Sequence, residues 1–197
     1  MAYYPNLAAG NGAKTRFSGP ANRIAAPMGP ISLSTQVDAS RGRVFDFICD
    51  LSRRPSWIDH FAADYHLERL DPAGEGAAAR FLVGAPGGIE YMETVIAETE
   101  RPTRIVERGH GGYLNRVPIN TVWELSSGPG AVTTITLTFW TGPSHGFDRA
   151  RELGRSGWWK RRWKRGLRRL GDAIESGGDQ IEPVRVAGGA HEPYAVA

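Results

Sequence analysis

The chain has 197 residues, of which 41% are hydrophobic and 10% aromatic, which is enough apolar material for one folded core and excludes a wholly disordered chain. Cys49 is its only cysteine, so an internal disulfide framework and a multi-cysteine metal site are also excluded. The formal net charge is +3, and no uncharged apolar run approaches the roughly 20 residues of a membrane span. We therefore expect a cytoplasmic protein with a single domain.

Both ends of the chain differ in composition from its middle. Glycine, proline and small polar residues interrupt 1–30, which has neither the period of a strand nor that of a helix. We interpret 1–30 as a flexible leader and, on similar composition, 178–197 as a flexible tail. The folded domain is expected at 31–177.

The domain is predicted to begin with one strand and two short helices. Apolar and polar residues largely alternate over 31–37, which is typical of a half-buried strand. Apolar residues recur every three or four positions over 41–51, as an amphipathic helix requires. A second short helix is predicted over 52–61, with Ser52 as its cap and Pro55 in its first turn.

Six further strands follow, separated by brief turns rich in glycine and proline. They are predicted at 65–70, 78–83, 89–97, 103–108, 115–125 and 132–140. The connections are too short for a parallel crossover, so the sheet should be an antiparallel meander.

A long helix at 146–176 completes the domain. Its apolar residues form one stripe: Trp159, Trp163, Leu167, Leu170 and Ile174. The elements together predict an α+β fold in which a curved sheet of seven antiparallel strands packs against this helix. The space between sheet and helix is the expected place for a cavity.

The chain resembles the SRPBCC superfamily of START-like helix-grip proteins, in its lipid-binding and polyketide cyclase/dehydrase branch. The resemblance covers about 31–177 and rests on short motifs in the expected order, together with the tryptophan-bearing last helix. These motifs are Val-Asp-Ala-Ser at 37–40, Val-Phe-Asp-Phe-Ile-Cys-Asp at 44–50, Pro-Ser-Trp at 55–57, Gly-Glu-Gly at 74–76 and Glu-Thr-Glu-Arg-Pro at 98–102. It implies an apolar cavity for a lipid, polyketide, hormone or isoprenoid-like molecule, held by a carrier or a sensor. It does not imply one chemistry, because the same fold carries several functions.

Alternation along the strands selects candidate ligand-binding residues. The apolar set over 117–125, which includes Thr121 and Trp123, should point inward, whereas the register of 89–97 stays open by one residue. The candidate wall residues are Trp57, Phe81, Tyr91, Trp123, Leu137, Trp159 and Trp163. A hydroxyl or carbonyl of the ligand would be held by Tyr91, Glu93 or Thr121.

An enzyme of the polyketide cyclase/dehydratase type is the alternative, and it needs acid/base groups in the same cavity. The catalytic candidates are Glu93, Arg104, His110 and Arg116. Glu93 has a second interpretation, on the wet face and paired with Arg104 or Arg116. His110 and Tyr113 lie in a glycine-rich segment that forms either a cavity lid or a plain turn.

We expect structural and not functional roles for a glycine-rich run, the cysteine and the histidines. The Gly-Glu-Gly-Ala-Ala-Ala run at 74–79 leads into a strand rather than a helix, so it is a hairpin turn and not a nucleotide site. Cys49 falls on or near the buried stripe of the first helix and is expected to act as a small hydrophobic residue. The five histidines lack metal-binding spacing, so we expect neither a metal nor another cofactor.

The last helix also carries seven positive residues within ten positions: Lys160, Arg161, Arg162, Lys164, Arg165, Arg168 and Arg169. A solvated helix face is the ordinary interpretation. A docking module is the third functional alternative, in which this face meets an anionic membrane surface and Trp158 anchors at the interface. In that case the protein would be cytoplasmic and would also associate peripherally with a membrane. Nucleic acid is disfavoured because no nucleic-acid-binding module is recognised.

Overall fold

The computed structural model describes residues 30–177, together with the backbone of 184–186 and 189–191. The predicted leader at 1–30 therefore lies almost wholly outside the described residues. Nine strands are described: β1 Ile31–Asp38, β2 Ala62–Leu67, β3 Ala78–Ala85, β4 Gly88–Glu100, β5 Arg104–Gly111, β6 Val117–Ser127, β7 Val132–Thr141, β8 Val184–Val186 and β9 Gly189–His191. The described helices are α1 Arg41–Cys49, α2 Pro55–Ile58 and α3 Gly146–Glu175, with 3-10 turns at Leu51–Arg53 and Tyr113–Asn115.

The strands form one sheet in the order β1-β7-β6-β5-β4-β3-β2-β8-β9. Neighbouring strands from β1 to β2 in this order pair in an antiparallel manner, and the sheet curves into a half-barrel. Helix α3 crosses this sheet, in contact with β1 and α2. The predicted α+β helix-grip fold is confirmed.

Helix α3 closes the core with the stripe that the sequence predicts. Trp159, Trp163, Leu167, Leu170 and Ile174 are all buried. At Gly171 the helix backbone comes close to the side chain of Val37 on β1. The hydrophobic core thus lies between the inner face of the sheet and the three helices.

The two short helices differ from prediction because of Asp50. The Ser40 hydroxyl accepts the Arg43 N–H and caps α1, which stops at Cys49. Asp50 has an extended backbone, and its carboxylate accepts the backbone N–H of Ser52 at 3.0 Å. This cap begins a 3-10 turn, so α2 starts only at Pro55 and Ser52 does not cap it.

Two strands are found within the predicted flexible tail at 178–197. β8 pairs in parallel with the edge strand β2, and β9 pairs in an antiparallel manner with β8. An edge strand presents unpaired backbone groups, and β8 supplies partners for those of β2. These two strands fall inside the segment predicted as a flexible tail, and the remainder of that segment lies outside the described residues.

Candidate ligand-binding site

Aromatic side chains from four different elements meet in the interior. They are Trp57 of α2, Phe61 after it, Trp123 of β6, Phe139 of β7, and Trp159 and Trp163 of α3. The ring centres of Trp57 and Trp123 are 5.8 Å apart, and those of Trp123 and Trp163 are 6.1 Å apart. We call these six residues the aromatic cluster.

Three indoles of the aromatic cluster have no hydrogen-bond acceptor. The Nε1–H groups of Trp57, Trp159 and Trp163 are buried, and none of them has a hydrogen-bond partner among the described residues. A buried N–H without a partner costs about 1–3 kcal/mol and is uncommon in folded proteins. The cluster therefore combines apolar ring surfaces with three buried N–H donors that have no acceptor among the described residues.

Trp123 differs from the other three because its N–H has an acceptor. It donates to Oε1 of Glu107 on β5 at 2.6 Å. The same carboxylate accepts hydrogen bonds from both terminal nitrogens of Arg54, each at 2.6 Å, and from the Thr94 hydroxyl at 3.1 Å. Arg54 and Glu107 are each 2% exposed, so a complete ion pair lies beside the aromatic cluster.

Burial and the charges of this ion pair shift the pKa of three groups, Arg54, Tyr65 and Cys49. Burial by itself would lower the pKa of Arg54, but the Glu107 carboxylate outweighs it and the net pKa is raised. Burial raises the pKa of Tyr65, whose hydroxyl donates to the Leu51 carbonyl at 3.0 Å. Burial also raises the pKa of Cys49 to about 12, so its thiol stays protonated.

The structure fixes the register of β4, which the sequence left open. Met92, Thr94 and Ile96 point inward, whereas Tyr91 and Glu93 lie on the outer face. Tyr91 is 58% exposed, and Glu93 meets His110 at 3.2 Å on the outside of the sheet. Tyr91 and Glu93 therefore do not line the interior.

The other catalytic candidates also lie outside. Arg104 is near Glu98 and Glu100, and Arg116 binds Asp148 at 2.9 Å. Side-chain exposures of Glu93, Arg104, His110 and Arg116 range from 36% to 52%. The four residues proposed for acid/base chemistry do not converge inside the domain.

The segment considered as a lid is mostly strand. His110 belongs to β5, which runs three residues beyond its predicted end because its pairing with β6 continues to Gly111. Tyr113 begins a 3-10 turn, and the centre of its ring lies 6.1 Å from the centre of the Phe147 ring. His110 is therefore held in the sheet and is not part of a loop.

The remaining ligand-binding candidates all lie in the interior. Phe81 on β3, Thr121 on β6 and Leu137 on β7 are buried, as are the tryptophans at 57, 123, 159 and 163. Thr121 carries a hydroxyl beside the aromatic cluster, directly across from Phe139 in the β6–β7 pairing.

A second buried polar cluster ties α3 to the β3–β4 hairpin. The Arg155 guanidinium donates to both oxygens of Glu90, at 2.6 and 3.0 Å, and to the Pro86 carbonyl at 2.9 Å. Glu152 lies beside it and accepts the Thr141 hydroxyl at 3.2 Å. Burial raises the pKa of Glu152, against the opposing effects of Arg155 and Thr141.

Sequence reasoning missed both buried polar clusters. Ile105 is an inward residue of β5, and strand alternation places Glu107 on the same face. Arg155 and Glu152 fall on the buried side of α3, four and seven residues before Trp159. Those spacings are the sequence signal for these positions, but charged side chains are rarely buried, so residue type argues against it.

Comparison with known proteins gives a family match and several similar folds. Residues 28–175 match the family model described as polyketide cyclase / dehydrase and lipid transport. A search of curated proteins found no match. Among the described residues, no helix has both the length and the apolar character needed to cross a membrane.

Three solved structures illustrate the similarity of fold. The crystal structure of DynU16, a protein of the dynemicin biosynthetic locus, is 20% identical with a TM-score of 0.53; the match covers 75% of this chain and 48% of DynU16. This chain thus spans about half the length of DynU16. KanY is 14% identical with a TM-score of 0.60, covering 75% of this chain and 98% of KanY. A START superfamily protein from Mycobacterium smegmatis is 14% identical with a TM-score of 0.50, covering 75% of this chain and 94% of that protein.

Proposed function

Because the chain belongs to the polyketide cyclase / dehydrase and lipid transport family, we propose that its interior binds a hydrophobic small molecule that bears oxygen acceptors. The ligand is lipid-, polyketide- or isoprenoid-like, and the protein acts on it as a carrier or sensor. The aromatic cluster provides apolar surface, and burial of apolar area is the dominant favourable contribution to such binding.

The observation that carries the proposal is the set of three indole N–H groups without acceptors. Trp57, Trp159 and Trp163 offer donors and no acceptors in an apolar setting. A carbonyl, quinone or ether oxygen would accept these hydrogen bonds, whereas a plain alkyl chain would leave them unsatisfied. Acceptor-rich ligands are therefore favoured over purely aliphatic ones.

A binding role is favoured over the cyclase alternative by the state of the interior charges. Glu107 already accepts four hydrogen bonds from three side chains and is held as the partner of Arg54. A general acid or base needs a proton-transfer position that is open to the substrate. Glu107 and Arg54 therefore hold the tryptophans of the aromatic cluster in position and do not act as catalytic groups.

Native mass spectrometry of the purified protein, followed by organic extraction, tests for a bound molecule. Quenching of tryptophan fluorescence by 1,8-dihydroxyanthraquinone, farnesol and oleic acid then measures affinity for three chemically distinct probes. We expect the quinone to bind best, because its carbonyls are acceptors for the indole N–H groups.

Tryptophan-to-phenylalanine variants test the hydrogen bonds separately from the apolar contacts. Trp163→Phe and Trp159→Phe should each weaken quinone binding by roughly 2- to 13-fold, the loss of one neutral hydrogen bond. Trp140→Phe is the matched control, because Trp140 is half-buried on the opposite face of β7. Equal affinities for all three variants and the wild type, or absence of binding of every probe and of any adduct, would overturn the proposal.

A further inference from the structure

One face of α3 carries five positive side chains that have no ion-pair partner among the described residues. Of the seven basic residues at 160–169, Arg162 donates to the His60 carbonyl and Arg169 binds Asp59. The other five are exposed, and none of them makes an ion pair within the described part of the chain. These five residues, called the basic face below, are Lys160, Arg161, Lys164, Arg165 and Arg168.

The basic face contrasts with the charged surface elsewhere. On the outer side of the sheet and its turns, Arg80 pairs with Glu68 at 2.9 Å, Arg101 with Asp46 at 2.8 Å, and Arg108 with Glu98 at 2.6 Å. Acidic and basic residues are thus interspersed over that surface. On the basic face they are segregated, which concentrates positive potential on one side of α3.

The geometry of the basic face suits a flat anionic surface. With 100° between successive residues, the five positions fall within an arc of about 140° and along about 12 Å of helix. Lys160, Lys164 and Arg168 lie one turn apart, so like charges face each other at a spacing that destabilises a helix. An anionic partner removes that repulsion.

The same stretch of α3 covers the aromatic cluster. Trp159 and Trp163 point into the interior, and the next residue after each, Lys160 and Lys164, belongs to the basic face. A molecule with the apolar character assigned under the proposed function partitions into membranes. When the basic face contacts a membrane, α3 lies against the lipid in which such ligands dissolve. Helix α3 is also the helix that covers the interior.

We propose that the basic face docks this protein on membranes containing anionic phospholipids. Nucleic acid fits less well, because single-strand binding uses exposed aromatic platforms and the basic face has none. Trp158 does not supply one: it is half-buried, packs against Phe61, and lies under the Arg162 guanidinium. Trp158 therefore is not the free interfacial anchor that the sequence suggested, and docking is electrostatic.

Vesicle sedimentation with the full chain tests this proposal. Wild-type protein should bind vesicles of phosphatidylcholine with 30% phosphatidylglycerol, fail to bind pure phosphatidylcholine, and be released as salt approaches about 1 M, where the Debye length is about 3 Å. The quadruple variant K160Q/R161Q/K164Q/R168Q should bind about 600-fold more weakly, at about five-fold per cation. Arg165 is kept because it lies near His60.

A matched control removes the same number of charges elsewhere. R80Q/R101Q/R104Q/R108Q should keep most of the vesicle affinity, although its net charge equals that of the first variant. R161K/R165K/R168K should also keep it, because a lipid surface reads charge and not the bidentate guanidinium geometry. Melting curves of every variant show that the fold is intact.

Three results would overturn the inference: no binding of wild type to anionic vesicles, equal losses in the two quadruple variants, or loss of binding in the lysine variant. Tighter binding of a single-stranded oligonucleotide than of vesicles, at equal phosphate concentration, would also replace the lipid assignment. Native mass spectrometry separates this inference from the proposed function. A protein that retains its ligand yet ignores vesicles refutes only docking, whereas vesicle binding without any ligand refutes only the carrier role.

Discussion

The buried ion pair between Arg54 and Glu107 makes a sharp prediction about stability. Glu107→Leu leaves the Arg54 guanidinium, the Trp123 N–H and the Thr94 hydroxyl without their shared acceptor. Loss of one partner from a buried pair costs about 3–5 kcal/mol, because the remaining charge stays desolvated. For a domain of this size the melting temperature should fall by roughly 6–20 °C.

Urea denaturation and thermal melting measure this loss against two further variants. Glu68→Leu breaks the exposed pair with Arg80, where the side chains are 36% and 52% exposed, and should cost at most about 1 kcal/mol. Arg54→Met added to Glu107→Leu removes the stranded charge and should recover at least about half of the loss. The reasoning is refuted if Glu107→Leu costs no more than Glu68→Leu, or if the double variant is no more stable than Glu107→Leu alone.

Four other variants should show effects of defined sign. Burial lowers the pKa of His60, so the wild type should lose stability as pH falls below 6.5, and His60→Gln should remove that loss in urea titrations at several pH values. Burial raises the pKa of Glu152, so the stability of the wild type relative to Glu152→Gln should decline as pH rises above 4.5. Gly109→Ala should cost about 3 kcal/mol, because its Cβ would collide with the Glu93 carbonyl on the neighbouring strand. Gly154→Ala, with open space around the new methyl group, should instead stabilise α3 by about 0.8–1 kcal/mol in the same melts.

Opposite results would contradict these assignments individually. If His60→Gln or Glu152→Gln left the pH dependence of stability unchanged, other titrating groups would be responsible for it. A harmless Gly109→Ala would mean that β4 and β5 separate easily, against the close approach in the structure. A destabilising Gly154→Ala would show that this helix position is not open.

Much of the fold could be predicted because its elements have clear periods. The stripe from Trp159 to Ile174 repeats every three or four residues, and it is buried as that spacing requires. Boundaries were less accurate where a side chain competed with the backbone pattern, as Asp50 does between α1 and the 3-10 turn. The pairing of β8 with β2 depends on a distant edge strand, which local composition does not reveal.

The candidate site was only half predictable. Trp123 and Trp163 could be placed inside because their strand or helix has one distinctly apolar face. The two faces of β4 have similar polarity, so only pairing with β3, which sets Met92 opposite Phe81, decides that Tyr91 faces out. The Arg54–Glu107 pair joins residues 53 positions apart, and neither residue alone reveals that the other will neutralise it.

The pairing of β1 with β7 also determines the order in which the chain can assemble. Ile31 lies opposite Phe139, so 107 residues of the 197 separate these two paired positions. During synthesis at about 5–20 residues per second, β1 waits several seconds before its partner leaves the ribosome. The hairpins from β2 to β6 have local partners and can form in that interval. Pairing of β1 with β7 must instead close a loop of about 100 residues, which costs conformational entropy. Folding of this domain should therefore end, and not begin, with its first strand.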